Sequence, residues 1–168
     1  MPTGVAWYDR GMLNHYRLTQ HWSIRARSEE VFDILNDTRS YARWWSAVFL
    51  HTEEWTEGGV RVARIHSRGW LPYRLNWVGR QTLVERPRTL AMTVEGDFNG
   101  EGRWELRQVG EMVEIDFAWI IVADKPLLRY LSWMLKPIFE ANHEWAMRQG
   151  YQGLLAEIER RRREQPAA

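Results

Sequence analysis

The stretch FEANHEWAMRQGYQGLLAEIERRRR, residues 139–163, decides the fold because it has the pattern of a long amphipathic helix. At about 100° per residue, the pattern extends back to about Pro126, and Glu140, Glu144 and Arg148 lie opposite its apolar side. Such a helix needs an apolar surface to cover. Its predicted apolar side contains Leu128, Leu131, Leu135, Ile138, Phe139, Ala146, Gly150 and Gly153.

Asn142 is a polar residue near the middle of this predicted apolar side, with Gln149 close to it and His143 toward the edge. A polar group among apolar neighbours needs a hydrogen-bond partner. Asn142 therefore either bonds a neighbouring backbone group or faces a space in which it orients a ligand. We favour the second interpretation, in which the amide of the ligand-free protein is unpaired.

The chain before this helix has the patterns of strands and short helices. Residues 15–25 alternate apolar and polar side chains, which predicts a first strand, and two short helices follow within residues 28–48. Turn signals such as Asn99-Gly100 divide the next segment, up to residue 123, into six more strands. The large apolar side chains of these strands share one face, so the sequence predicts an α+β fold in which the terminal helix covers that face.

Composition limits the class of protein. A length of 168 residues predicts a single domain, and the absence of cysteine excludes disulfides and cysteine nucleophiles. The 23 basic and 22 acidic residues nearly cancel, so we expect no nucleic-acid partner. The apolar run that contains residues 118–123 is far shorter than the roughly 20 residues of a membrane span. We therefore expect no integral membrane association and a soluble, cytoplasmic protein.

Signatures of common active sites are missing from the sequence. The five histidines show no close spacing on one element, so we predict no metal site. No glycine-rich phosphate loop and no serine in a nucleophile elbow is present, and we predict no cofactor. The unusual feature is the number of tryptophans, eleven, which suits either a thick core or a lined cavity.

The order of predicted elements resembles that of the SRPBCC superfamily, which includes START-like lipid-transfer domains and polyketide cyclase/dehydrases. The resemblance covers residues 15–160 and leaves residues 1–14 as an N-terminal extension and residues 161–168 as a tail. Locally it depends on the stretches SEEVFDILNDTRSYARWW, RGWLPYRLNW, VEGDFNGEGRWEL and FEANHEWAMRQGYQGL. It implies a helix-grip fold, in which a curved, seven-stranded antiparallel sheet grips the long helix and encloses a hydrophobic cavity.

The leading functional hypothesis is a module that binds a hydrophobic small molecule, lipid-like or aromatic, in that cavity. The tryptophans would form its walls and a polar side chain of the helix would fix the polar end of the ligand. The predicted ligand-binding residues are Trp77, Trp104, Phe117, Trp119, Phe139, Asn142 and Gln149.

Two other hypotheses stay open. In the first, a cyclase or dehydratase folds a polyketide-like chain in the same cavity, with His143, Tyr73 or His66 assisting proton transfer. In the second, exposed tryptophans such as Trp7 and Trp55 dock a protein partner. Ligand binding ranks first because it requires no covalent chemistry.

Overall fold

The computed structural model describes the backbone of residues 15–122 and 126–164 and the side chains of residues 17–122 and 137–164. Its elements follow the predicted order, which confirms the α+β class. They are strand β1 (His15–Arg25), helix α1 (Ser28–Asn36), a 3₁₀ turn (Thr38–Ser40), helix α2 (Tyr41–Trp44), strands β2 (Phe49–Glu57), β3 (Val60–Arg68), β4 (Arg74–Glu85), β5 (Thr89–Gly96), β6 (Asn99–Val109) and β7 (Met112–Val122), and helix α3 (Pro126–Glu164).

The seven strands form one antiparallel sheet in the order β1-β7-β6-β5-β4-β3-β2. The first strand closes the order by pairing with the last, from His15 opposite Val122 to Arg25 opposite Met112. Tight hairpins join β2 to β3, β4 to β5, β5 to β6 and β6 to β7, and Gly58 and Gly59 both take positive φ angles at the β2–β3 turn, where a side chain would be strained. The long helix and this curved sheet confirm the helix-grip fold.

The described part of α3 packs against β1, α1 and α2, but its buried face differs from the predicted one. The buried line runs through Met147, Gly150, Leu154 and Ile158. Ile138, which was placed on the apolar side, is 39% exposed. Gly150 belongs to the edge of both faces, but the centre of the predicted face is rotated by about 100° because exposed apolar positions such as Ile138 were counted as buried. Glu140, Glu144 and Arg148 are exposed, as predicted.

Some predictions concern residues outside the described ranges. The N-terminal extension, residues 1–14, and Trp7 within it lie there, as does the second half of the predicted tail, residues 165–168. The helical positions 128–135 have described backbone, and their side chains lie outside the described set. Among the described residues, no helix combines the length and the apolar character that a membrane crossing needs.

Candidate functional site

A cavity of about 620 Å³ lies between the buried face of the sheet and residues 139–147 of α3. Residues 38–49, around α2, close one side of it. The cavity exists because alternate positions of the strands place large side chains on one face, while α3 contacts that face along only part of its length. Six of the seven predicted ligand-binding residues line it: Trp77, Trp104, Phe117, Trp119, Phe139 and Asn142.

Strand register brings the aromatic residues of β6 and β7 together. Trp104 lies opposite Phe117 in the ladder, and their ring centroids are 4.1 Å apart. Trp119 lies opposite Gly102, where a Cβ atom would be 2.4 Å from the indole ring. The glycine therefore leaves room for Trp119 to lie flat over β6. This alternation of large and absent side chains forms the aromatic wall of the cavity.

The indole of Trp77 has its polar group satisfied inside the protein. Its Nε1–H donates to the hydroxyl of Ser67 at 2.9 Å, and its ring meets that of Trp119 edge-on with centroids 5.9 Å apart. A buried indole N–H needs such a partner. Because β3 supplies it, the rings present mainly carbon atoms to the cavity, which suits an apolar or aromatic ligand.

The small residues of α3 serve two different purposes. Ala146 lines the cavity, and its carbonyl accepts a 2.9 Å hydrogen bond from Nε1 of Trp45. At Gly150 a Cβ atom would be 2.4 Å from the ring of Trp45, so the helix and this ring are in direct contact there. An open space and a close contact therefore occur at successive turns of one helix.

Asn142 has a hydrogen-bond partner, so the preferred interpretation of an unpaired amide is wrong. Its Oδ1 accepts the backbone N–H of Trp70 at 3.0 Å and that of Leu71 at 3.5 Å. A Cβ atom at Gly69 would lie 1.9 Å from the same oxygen, so the backbone approaches the amide closely. Asn142 thus ties the β3–β4 loop to α3 at the wall of the cavity.

Within the part of the chain that the structure describes, His143, the next residue along α3, has the unpaired polar atom that was predicted for Asn142. Its ring lines the cavity, nearly parallel to that of Phe117 at an interplanar angle of 17°. Its Nε2 atom is buried and has no hydrogen-bond partner among the residues that the structure describes. Burial lowers the pKa of the imidazole from 6.5 to about 4, because the surroundings disfavour the charged form. At neutral pH the cavity wall therefore contains a neutral imidazole.

Other candidates have different positions. Gln149 does not line the cavity, because the part of α3 that borders it ends at Met147. His66 is absent from the lining because it alternates with Ile65 and Ser67, which point inward, and its ring instead lies 5.9 Å from that of His51. Tyr73 does line the cavity, and burial raises the pKa of its hydroxyl.

Charged side chains line the cavity near the β3–β4 loop, and sequence reasoning did not select them. Arg68 and Arg74 come from the two strands that this loop joins, and Asp97 comes from the β5–β6 turn. The turn signal at residues 69–72 could have indicated Arg68 and Arg74, because the ends of two neighbouring strands meet at the loop that joins them. Within the described residues, no three His, Asp or Glu side chains are grouped so that they could hold a metal ion.

The comparison with protein families agrees with this architecture. Residues 15–161 match the family model described as polyketide cyclase / dehydrase and lipid transport. The chain belongs to this family, which is of the SRPBCC type. No curated protein matches the chain.

Solved structures share the fold at low sequence identity. The ZhuI aromatase/cyclase of Streptomyces sp. R1128 is 20% identical, covers 88% of this chain and 95% of its own, and has a TM-score of 0.69. TTHA0849 of Thermus thermophilus is 18% identical, with coverages of 84% and 99% and a TM-score of 0.70. A START superfamily protein of Mycobacterium smegmatis is 12% identical, with coverages of 86% and 97% and a TM-score of 0.63. These likenesses show the helix-grip fold.

Proposed function

We propose that the protein binds a hydrophobic small molecule, lipid-like or aromatic, in the cavity between the sheet and α3. The aromatic wall is the main support for this proposal, since Trp77, Trp104, Phe117 and Trp119 border an apolar cavity of about 620 Å³. Pockets of roughly 300 to 1,000 Å³ with such walls are typical of small-molecule sites. The family, whose description includes lipid transport, supports the same function.

Binding of a neutral hydrophobic probe tests this proposal. N-phenyl-1-naphthylamine, whose fluorescence rises in apolar surroundings, should bind to the purified protein. Ala146 lines the cavity and Ala156 is exposed on the same helix, so the two positions give a matched pair. Ala146→Phe should weaken probe binding by at least about tenfold, because the added ring occupies the space of the ligand. Ala156→Phe should leave it unchanged.

Circular dichroism of both variants verifies that they are folded. Equal binding by the two folded variants would place the probe elsewhere and would reject the cavity as the site. A wild-type protein that fails to bind the probe would reject the function itself. Native mass spectrometry of the protein as purified would then identify any ligand that is already bound.

A second candidate is a cyclase or dehydratase reaction in the same cavity. The specific observation in its favour is that His143 and Tyr73, two of the proposed proton-transfer residues, both line the space. An imidazole with a pKa of about 4, however, is a weak base at neutral pH, whereas an efficient general base has a pKa near the working pH. Binding without turnover is therefore the first proposal, and turnover of a polyketide mimic that His143→Phe abolishes would reverse that order.

A further inference from the structure

His143 is the starting point because its Nε2 atom is a buried polar atom in the cavity wall without a partner among the described residues. A polar atom without a hydrogen bond in apolar surroundings destabilises the protein, so its presence needs an explanation. Packing does not supply one, since a phenylalanine ring would fill similar space with carbon atoms alone.

Four other polar groups of the same wall already have protein partners. These bonds fix the wall and leave Nε2 of His143 available to a ligand. The hydroxyl of Tyr41 donates to the carbonyl of Leu35 at 2.6 Å, Oγ of Ser67 accepts from Trp77 at 2.9 Å, Oδ2 of Asp97 accepts from the backbone N–H of Asn76 at 2.8 Å, and Asn142 accepts from the β3–β4 loop at 3.0 Å.

The chemistry of a neutral imidazole restricts the ligand group that it can take. Depending on the tautomer, Nε2 either accepts or donates a hydrogen bond, and a hydroxyl group can serve as the partner in both cases. A charged group bound at Nε2 would lose its hydration beside Phe117, whose ring centroid is 6.3 Å from that of His143. The low pKa of His143 has the same cause, since these surroundings disfavour charge on the ring itself. The charged residues of the lining, Arg68, Arg74 and Asp97, come from the ends of β3 and β4 and from the β5–β6 turn.

We propose that the cavity selects ligands that carry an uncharged hydroxyl group on an apolar ring system, and that Nε2 of His143 forms the hydrogen bond to this hydroxyl. The inference rests on the proposed function and specifies its ligand class. His143 acts in it as a specificity-determining residue. The aromatic wall provides affinity for the rings, and the imidazole distinguishes a hydroxylated ring from an unsubstituted one.

Competition between matched ligands tests the inference. Displacement of N-phenyl-1-naphthylamine by 1-naphthol and by naphthalene gives the preference of the protein for the hydroxyl group. We expect the preference of the wild type to exceed that of His143→Phe by about tenfold, the effect of one hydrogen bond to a buried group. Naphthalene should bind the two proteins within about twofold of each other, because the phenyl ring preserves the apolar contacts. His143→Gln, which retains a polar group, should restore part of the preference.

A second measurement does not depend on the variants. The ¹⁵N resonance of His143 Nε2 in the wild type should shift on addition of 1-naphthol and stay nearly constant with naphthalene. If both ligands bind but the preference is the same in wild type and His143→Phe, or the nitrogen resonance responds to both alike, the inference is wrong and the proposed function stands. If neither ligand nor the fluorescent probe binds the wild type, both are wrong.

Discussion

The two halves of the described part of α3 pack in opposite ways. From Gly150 onward the helix touches the segment around α2, and a Cβ atom at Gly153 would lie 1.9 Å from the carbonyl oxygen of Trp44. Up to Met147 the same helix faces a cavity of about 620 Å³. The first half therefore borders an open space, and the second half supplies packing that helps hold the helix in place.

The same difference appears in the ionisable groups of the two halves. Burial alone would raise the pKa of Glu157, but hydrogen bonds from Arg160, Arg161 and Arg43 lower it to about 2. His143 is also buried and has no partner for Nε2 among the described residues, so burial determines its pKa of about 4. A group with partners keeps its charge, and a group without them loses it. The buried carboxylate of one half is thus paired, whereas a buried nitrogen of the other half has no partner among the described residues.

The largest expected effect is in the packed half, at Gly153. Gly153→Ala should lower the free energy of unfolding by about 3 kcal/mol, because the added methyl group meets the backbone oxygen of Trp44, which cannot move without shifting the chain. The sign of this change is informative, since Gly→Ala at an unhindered helical position stabilises the protein by about 1 kcal/mol. Urea denaturation measures the difference.

Gln152, the preceding residue, is exposed and provides the control. Gln152→Ala should change the free energy of unfolding by less than about 0.5 kcal/mol. A stabilising effect of Gly153→Ala would show that the helix and Trp44 are not in close contact, and the contrast between the two halves would disappear.

The second effect belongs to the cavity half and depends on pH. The folded state holds the pKa of His143 at about 4, against 6.5 for the ordinary group, so the unfolded chain binds more protons between these values. The contribution of His143 to stability is present above pH 6.5 and is lost as the pH falls toward 4. We expect a loss of about 2 kcal/mol, somewhat less than the full pKa difference implies, because the ring is not wholly enclosed.

His143→Phe isolates this contribution. The variant should lose less stability between pH 7 and pH 4.5 than the wild type does, when both are measured by urea denaturation. The difference between the two proteins is needed because other groups also titrate. Hydrogen bonding to Asp116 raises the pKa of His21, so the contribution of His21 to stability is larger in acid. Glu157 loses its stabilising charge only between about pH 4.5 and 2, below this window. Parallel pH profiles of the two proteins would show that His143 is not buried as described.

The fold was predictable because its signals are periodic and numerous. Alternation along the strands has one simple structural solution and predicts the order of elements. The hairpin predicted at Asn99-Gly100 exists, but its turn lies at residues 97–98, and Asn99 and Gly100 already pair as the start of β6. The aromatic wall followed from the same alternation, which is why Trp77, Trp104 and Trp119 were assigned to one surface.

The polar part of the site was less predictable, since it depends on the rotation of one helix. Asn142 and His143 both line the cavity, so the helical pattern does not show which of them is paired. The partner of Asn142 is the backbone of a loop more than 70 residues earlier, and a backbone group has no signature in the sequence. Long-range contacts therefore determine which polar residue is left without a partner among the described residues.

The smallest expected effect concerns Asn142, at the boundary between the cavity and the β3–β4 loop. Asn142→Leu removes the oxygen that accepts the N–H groups of Trp70 and Leu71. Trp70 is 51% exposed, so water can replace part of the lost bonding, and we expect the free energy of unfolding to fall by only about 1 kcal/mol. Hydrogen exchange at the two amides should become faster in the ligand-free variant, while Asn142→Asp, which keeps an acceptor oxygen, should retain their protection. Unchanged exchange in Asn142→Leu would mean that the amide does not hold the loop and faces the cavity instead.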